Sequence, residues 1–428
     1  MTLTKSMHKE TYILHLDGDS FFAQCEVAQF PHLRGKPVVV GQERGIAVAM
    51  SHEAKKVGVT RGMPIFKIKK FYPEVIILPS HFELYQKYCD KMAAAVRKYI
   101  DSVEVYSIDE CFALIEGGSW EEATELVKKI KVAVQAELGI TFSFGLARTK
   151  VLAKVASRSQ KPNGLTLLSE KLEDKYLAET PIEKIWGIGY RTAPKLKARG
   201  ITTALQFRDL PETFVKRTFA KPLEEIWYEL SGLQIMAVGN SHEDPKSLQA
   251  TRTFTPATHE RDLVFSELSK NIEIACIRMR RYELLTNYIS FFLKTSEFKY
   301  RGLELKLPFY TNNPSDILDR VLPAFDYVFA RGVRYRATGI TLMGLRTKDK
   351  CQEDLFGLQK GIFEEGRVQE SIDRMRAVYG TNAVFLASSL PAILRRATTK
   401  RADFARVKSA PVPSYLWNLP FPFLGEVV

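Results

Sequence analysis

Apolar and polar positions change period several times along the chain. Tyr12-Ile-Leu-His-Leu16 is a short, nearly unbroken apolar run, which predicts a buried strand, and a helical run follows near Phe21–Ala28. Gly35-Lys-Pro-Val-Val-Val40 predicts a second short buried strand, Gly41–Gly45 a turn, and Ile46–Met50 a third strand. Leu84, Tyr88, Met92 and Val96 recur at helical spacing within Leu84–Tyr99. Val103–Ile115 alternates like a hairpin, Glu121–Leu138 is amphipathic, Thr141–Leu146 reads as a strand, and Lys150–Arg158 as a helix ending at Lys161-Pro-Asn-Gly164. Strands alternating with helices around an acid-bearing pair predict an α/β layer with a small module inserted around residues 31–80.

Residues 171–240 read as mostly helical. Residues 241–346 alternate again, with strands at Thr251–Phe254, Tyr288–Lys294, Gly302–Leu307 and Ala337–Leu345, and helices at Asp262–Tyr282 and Pro314–Phe329. Beyond 358 one helix, Gln369–Val378, precedes a basic, proline-bearing tail for which partial disorder is expected.

Length and charge narrow the picture. A chain of 428 residues exceeds one compact core, so two to four domains are expected. Its 62 Lys and Arg against 49 Asp and Glu, a formal +13, favour a polyanionic partner. Residues 246–350 hold 18 of the basic and 11 of the acidic residues, an excess of seven. The five cysteines show no C-x-x-C spacing, which fits reduced thiols inside cores. Met1–Glu10 is polar and no apolar run approaches 18 residues, so a cytoplasmic protein without a membrane span is expected.

The candidate chemistry lies in two acidic stretches. Asp17 and Asp19 follow the first strand, where a sheet surfaces and carboxylates can hold a hard divalent ion; solvation or helix capping is the plainer reading. Asp109-Glu110 interrupts an apolar hairpin, and such a pair is costly to bury unless paired or bound to metal. Carboxylates gathered from two strands would repel without a cation between them. That is the arrangement of a two-metal phosphoryl or nucleotidyl transfer site, whose ions lie about 3.5–4 Å apart. Gly187-Ile-Gly189 ahead of Lys195, Lys197 and Arg199 has the form of a helix-hairpin-helix that offers backbone N–H groups to phosphate, with an ordinary tight turn as the rival. Arg331, Arg334 and Arg336 suit a duplex backbone, or else form a solvated basic face. Gln352-Glu-Asp-Leu-Phe356 suits docking into an apolar groove on a partner.

Together these stretches resemble the Y family of translesion DNA polymerases over nearly all of residues 11–357. The motifs are Asp17-Gly-Asp19 with Phe21-Phe22-Ala23, Gly35–Val40, Tyr106-Ser-Ile-Asp-Glu110, Gly145-Leu-Ala-Arg-Thr-Lys150, Lys161–Gly164 and Trp186-Gly-Ile-Gly189. Ile185–Gly189, Phe291–Ser296, Arg331–Tyr335 and the long tail are most similar to the UmuC branch, the catalytic subunit of bacterial DNA polymerase V. Lys161–Gly164 is closer to the DNA polymerase IV branch.

The resemblance implies an α+β multidomain right hand. It comprises a ferredoxin-like palm (1–30 and 81–170), small fingers (31–80), a helical thumb with the helix-hairpin-helix (171–240), an α/β little finger (241–346) and a clamp-binding peptide with tail (347–428). Asp17, Asp109 and Glu110 would be catalytic and hold two Mg²⁺ ions, or Mn²⁺ in their place, with the Gly18 carbonyl; the family's essential trio does not need Asp19. Phe22 would be the steric gate against a ribose 2′-hydroxyl, and Phe21, His52, Lys55 and Lys161 would complete the nucleotide site. Where the family commonly places Thr, Tyr and Arg against the triphosphate, this chain has Ala49, His52 and Lys55. Lysine keeps the charge and loses the bidentate geometry. Small residues in the fingers, including Gly62, imply an open roof over the templating base and low fidelity. Gly187, Gly189, Lys195, Arg331, Arg334 and Arg336 would contact DNA. Gln352, Leu355 and Phe356 would bind a bacterial sliding clamp. A UmuD-like subunit and a recombinase filament are further implied partners, in SOS mutagenesis after DNA damage, with no proofreading. The rivals are a non-catalytic DNA-binding paralogue acting as a scaffold and a phosphohydrolase built on Asp17-Gly-Asp19.

Overall fold

The computed structural model describes residues 10–239, 245–350, 360–380 and 382–395. The chain divides into two compact units, Met1–Glu243 and Asp244–Val428.

Strand β1 (Thr11–Gly18) is buried from Tyr12 onward, because it is the middle strand of a sheet covered on both faces. After it come α1 (Phe21–Gln29), β2 (Val38–Val40), β3 (Ala49–Met50), α2 (His52–Lys56), α3 (Ile65–Phe71), β4 (Ile76–Leu78), α4 (Phe82–Arg97), β5 (Val103–Val105), β6 (Glu110–Glu116), α5 (Trp120–Leu138), β7 (Phe142–Ala147), α6 (Lys150–Ser159) and β8 (Leu165–Leu167). The main sheet has the order β5-β6-β1-β7-β8, with β1 antiparallel to both neighbours. Side chains alternate across it. Tyr12, Leu14 and Leu16 join Tyr85 and Met92 of α4 and Val127 and Val134 of α5. Ile13 joins Val151, Leu152 and Val155 of α6. The two-residue period puts His15 and Asp17 on the α6 side as well. Gly145 is required here: a Cβ would stand 2.2 Å from the carbonyl oxygen of Ala153, so α6 lies directly on the β7 backbone.

Residues 38–78 build a separate three-stranded sheet, β3-β2-β4, with α2 and α3 packed on it around Val39, Ala54, Ile65 and Ile68. The expected strand Ile46–Met50 shrinks to Ala49–Met50. Ile46 bridges to Pro64, and Ala47 donates to Met63 rather than to β2, so this stretch divides its backbone between two partners. The rest of the first unit is helical: α7 (Glu170–Glu179), α8 (Ala193–Lys197), α9 (Ala204–Arg208), α10 (Glu212–Thr218) and α11 (Lys221–Leu230).

The second unit runs β9 (Leu248–Thr258), α12 (Arg261–Arg281), β10 (Leu284–Thr295), β11 (Tyr300–Thr311), α13 (Pro314–Val328), β12 (Tyr335–Met343), β13 (Arg346–Thr347) and α14 (Lys360–Tyr379). Its sheet has the order β11-β10-β12-β9, and α12 and α13 cover one face through Leu268, Ile272, Val321 and Phe325.

The far side of α12 is covered too. Arg280 holds Asp373 of α14 at 2.6 and 2.9 Å. Fully buried Glu273 takes Arg376 at 3.1 Å, the Ser389 hydroxyl at 2.5 Å and the Leu386 N–H at 3.0 Å. Ala392 donates to Ser266 at 2.9 Å. The expected helix Gln369–Val378 is therefore the end of a longer one, and residues 382–395 are seated on α12 rather than left as a loose tail. Buried carboxylates and hydroxyls on α12 needed partners, and they lie more than a hundred residues further along the chain. Cys25, Cys89, Cys111 and Cys276 are buried and free. No described helix is long and apolar enough to cross a membrane.

A pH dependence follows from one buried acid in the first unit. Glu26 of α1 accepts hydrogen bonds from Tyr85 at 2.6 Å and from His81 Nδ1 at 3.0 Å. That bond raises the His81 pKa above 6.5, burial opposes the rise, and Glu43 adds to it. Protonated His81 therefore stabilises the fold fully below the unfolded value and loses its contribution as pH climbs through the raised one. In urea melts, the stability gap between the natural protein and His81→Gln should narrow as pH rises from about 6 to about 8.5; a constant gap would show that the charge contributes nothing.

Candidate active site and nucleic-acid surfaces

The β1–β6 register sets Asp17 directly opposite Glu110, and the Gly18 N–H donates to the Asp109 carbonyl at 2.9 Å. All three acids thus meet at one end of the main sheet, on neighbouring strands. Each carboxylate has its own partner. Lys161 Nζ lies 2.5 Å from Asp17, Lys154 Nζ lies 2.7 Å from Glu110, and the Ser107 hydroxyl donates to Asp109 at 2.5 Å. Burial pushes the Asp17 pKa up to about 6; Lys161 opposes this, and the Glu110 and Asp109 charges push it further up. Among the described residues no three His, Cys, Asp or Glu side chains converge tightly enough to hold a metal ion. Three carboxylates, two held by ammonium groups and the third by a hydroxyl, are nonetheless the donor chemistry that suits a hard divalent cation.

Asp19 does other work. It is 2% exposed and accepts from Ser143 at 2.7 Å, Thr141 at 3.1 Å and the Asn163 N–H at 2.7 Å. These bonds tie Asp19 to β7 and to the 161–164 loop, and the chain turns just after it at Ser20 (φ 50°). A Cβ on Gly164 would stand 2.1 Å from the Gln160 carbonyl oxygen, so only glycine fits there. Lys131 donates to Asn163 Oδ1 at 2.7 Å and completes the anchoring. Asp19 thereby fixes the loop that presents Lys161.

Lys161, Lys55, His52, Ser20, Asp19 and Pro162 line a pocket of about 300 Å³. Lys55 donates to the Ser20 hydroxyl at 2.9 Å, and its pKa is lowered by burial and then by the charge of Lys161. The buried Nε2 of His52 has no hydrogen-bond partner among the described residues. Phe22 is partly exposed and stacks on Tyr85, with centroids 4.3 Å apart and planes 11° apart, and Phe82 closes on it edge-on at 5.7 Å. Phe21 is placed differently from the expectation. It is 3% exposed, packs with Phe142, and crowds Gly18 so closely that a Cβ there would stand 2.6 Å from its ring, so it belongs to the core rather than the pocket.

Sequence reading missed the cations of α6. Lys150 reaches Glu104 at 2.6 Å, Lys154 reaches Glu110, and Arg158 stands 3.9 Å from Glu110. Lys154 also lies 4.4 Å from the Tyr106 ring and 5.0 Å from that of Trp186, whose Nε1 donates to the Tyr106 hydroxyl at 2.9 Å. Burial lowers the Lys154 pKa, against the pull of Glu110. The signal was available: three cations spaced four apart on an otherwise apolar helix make one charged stripe.

The expected DNA-contacting residues fall on separate surfaces. Gly187 needs its positive φ of 86° and a close approach to Ile226, whereas Gly189 is open. Among the described residues, the N–H groups of Gly189, Tyr190 and Arg191 have no acceptor, and Lys195 on the following helix is exposed. In the second unit Arg331 and Arg334 are exposed, Arg334 donates to the Ala257 carbonyl at 3.1 Å, and Arg336 lies 4.4 Å from the Phe298 ring. Gln352, Leu355 and Phe356 lie outside the described residues.

Family models match three consecutive stretches: the impB/mucB/samB family at 16–158, the IMS family HHH motif at 173–201 and the impB/mucB/samB family C-terminal domain at 245–355. The chain is 29% identical over 426 residues to the protein UmuC of Salmonella typhimurium, covering 92% of this chain and 99% of that one. It is 31% identical over 397 residues to a DNA polymerase IV of Brucella melitensis, covering 88% of this chain and 86% of that one. A solved Y-family DNA polymerase chimera superposes with a TM-score of 0.68 at 25% identity, over 79% of this chain and all of the other. With acids, loop and pocket arranged as above, and relatives matched over most of their length, the chain belongs to the Y family of DNA polymerases, in the group that includes UmuC and DNA polymerase IV.

Proposed function

We propose that this chain is a template-directed DNA polymerase of low fidelity that copies damaged DNA by two-metal nucleotidyl transfer, without proofreading. The observation that carries the proposal is the opposition of Asp17 and Glu110, with Asp109 beside them, next to a pocket lined by Lys55 and Lys161. Two Mg²⁺ ions, or Mn²⁺ in their place, held by Asp17, Asp109, Glu110 and the Gly18 carbonyl, would acidify the primer 3′-hydroxyl and offset charge on the leaving pyrophosphate. Lys161 and Lys55 bind the triphosphate as point charges. His52 lines the same pocket. Phe22 excludes a ribose 2′-hydroxyl, and its stack on Tyr85 stops the ring from yielding. Lys154 steadies Glu110 from behind. The acids and the lysine-lined pocket leave the scaffold reading without a supporting observation.

The division into palm, fingers, thumb, little finger and tail is carried over from the family in the same reading. DNA would run along Gly187–Gly189 with Lys195 and along the basic side of the second unit at Arg331, Arg334 and Arg336. Gln352, Leu355 and Phe356 dock a bacterial sliding clamp in the cytoplasm. A UmuD-like subunit and a recombinase filament are proposed on the UmuC likeness alone.

Asp109→Ala should lower single-nucleotide incorporation by about a hundredfold or more while primer–template affinity holds; retained extension would refute the metal assignment. Phe22→Ala should raise ribonucleotide incorporation relative to deoxyribonucleotide by about tenfold or more, and unchanged sugar selection would remove the gate. Replacing Leu355 and Phe356 with Ala should abolish stimulation by an added bacterial clamp at unchanged basal extension; stimulation that persists would place clamp binding elsewhere.

A further inference from the structure

The excess charge of the chain has a second concentration besides residues 246–350. Residues 31–80 hold nine Lys and Arg against three Asp and Glu, an excess of six, which with the seven of 246–350 accounts for the whole formal +13. Within this module the charge gathers on α3, Ile65-Phe-Lys-Ile-Lys-Lys-Phe71. Ile65 and Ile68 face inward and are 7% and 0% exposed. Phe66 and Phe71 face outward and are 69% and 61% exposed. At 100° per residue Lys70 and Lys67 lie between the two rings, and Lys69 lies on the far side of Phe66. None of these three lysines has an ion-pair partner among the described residues, and Lys70 Nζ lies 5.4 Å from the Phe71 ring. Two large aromatics left in water are a cost unless something covers them.

We infer that the outward face of α3 is a stacking platform for single-stranded nucleic acid, namely the unpaired template strand ahead of the templating base. This rests on the polymerase reading. Charge complementarity selects the occupant. An apolar protein partner would have to desolvate three unpaired ammonium groups, whereas an unpaired strand supplies a phosphate for each cation and a π-face for each ring. The position agrees. His52 and Lys55 on α2 line the nucleotide pocket, and Ala54 between them packs in the same small core as Ile65 and Ile68. Pocket and platform are therefore two sides of one module. A duplex, whose bases are already stacked, gains nothing from the rings, so the platform discriminates for unpaired template.

The test is fluorescence anisotropy of the full chain on primer–templates with a one-nucleotide or a ten-nucleotide 5′ template overhang. The natural protein should bind the longer overhang more tightly. The double variant Phe66→Ala, Phe71→Ala should lose about tenfold on the longer overhang and keep its affinity and primer extension on the shorter one. Phe66→Trp should retain the preference, and its added emission should be quenched by the ten-nucleotide overhang and not by the one-nucleotide one. Unchanged affinity of the alanine variant on the longer overhang, equal loss on both, or absence of selective quenching overturns the platform while extension by the natural protein leaves the polymerase reading intact. Failure of the natural protein to extend any primer overturns that reading instead.

Discussion

The candidate site of the first unit depends on how the charges of Asp17, Asp109 and Glu110 are offset. Like charges at the end of a buried strand repel more strongly than in water, so these acids need positive charge close by. The fold supplies it from two directions: α6 brings Lys154 to Glu110, and the loop after α6 brings Lys161 to Asp17. Both supports depend on close backbone packing. Gly145 lets α6 lie on the sheet, and Gly164 lets the loop turn tightly enough for Asn163 to bond Asp19. The middle strand is buried on both faces, by α4 and α5 on one side and on the other by α6, which brings apolar packing and charge together.

Much of this was legible in the chain. An apolar run ending in acids, and a second acidic pair within an alternating stretch, are visible without coordinates. That Asp17 stands opposite Glu110 was not, because strand register is set by the pairing of segments about ninety residues apart. Asp17-Gly-Asp19 shows the limit of local pattern. The spacing treats the two acids as equals, yet Asp17 stands opposite Glu110 while Asp19 is bonded to β7 and the 161–164 loop. The cations of α6 were missed for a related reason: a basic stripe on a helix is normally solvated, and here it is turned inward because the acids it serves lie across the sheet.

The remaining misreadings fall where elements are short or partners remote. In residues 31–80 the strands have two or three residues, too few for any period to register, so α3 and β4 went unseen. At the other end, residues 382–395 carry little periodicity of their own. Their order comes from Ser266, Ser269 and Glu273 on α12, which are polar residues in buried positions. Such residues look like solvent-facing ones until their partners are known.

The two halves of the candidate site have opposite deficits. The acid group sets three carboxylates against the ammonium groups of Lys154 and Lys161, and burial first, then the Glu110 and Asp109 charges, raises the Asp17 pKa against the pull of Lys161. The adjoining pocket sets the ammonium groups of Lys55 and Lys161 against the single carboxylate of Asp19, and burial first, then the Lys161 charge, lowers the Lys55 pKa. Lys161 belongs to both, with its ammonium on Asp17 and its side chain lining the pocket. A ligand relieving only one deficit would leave the other uncompensated. In the proposed reading, a polyphosphate with its divalent cations would relieve both at once, with Asp17, Asp109 and Glu110 holding the cations and Lys55 and Lys161 the phosphates. The pairing of acid group and lysine pocket, more than either alone, is what the proposed reading of a metal-bound nucleoside triphosphate rests on.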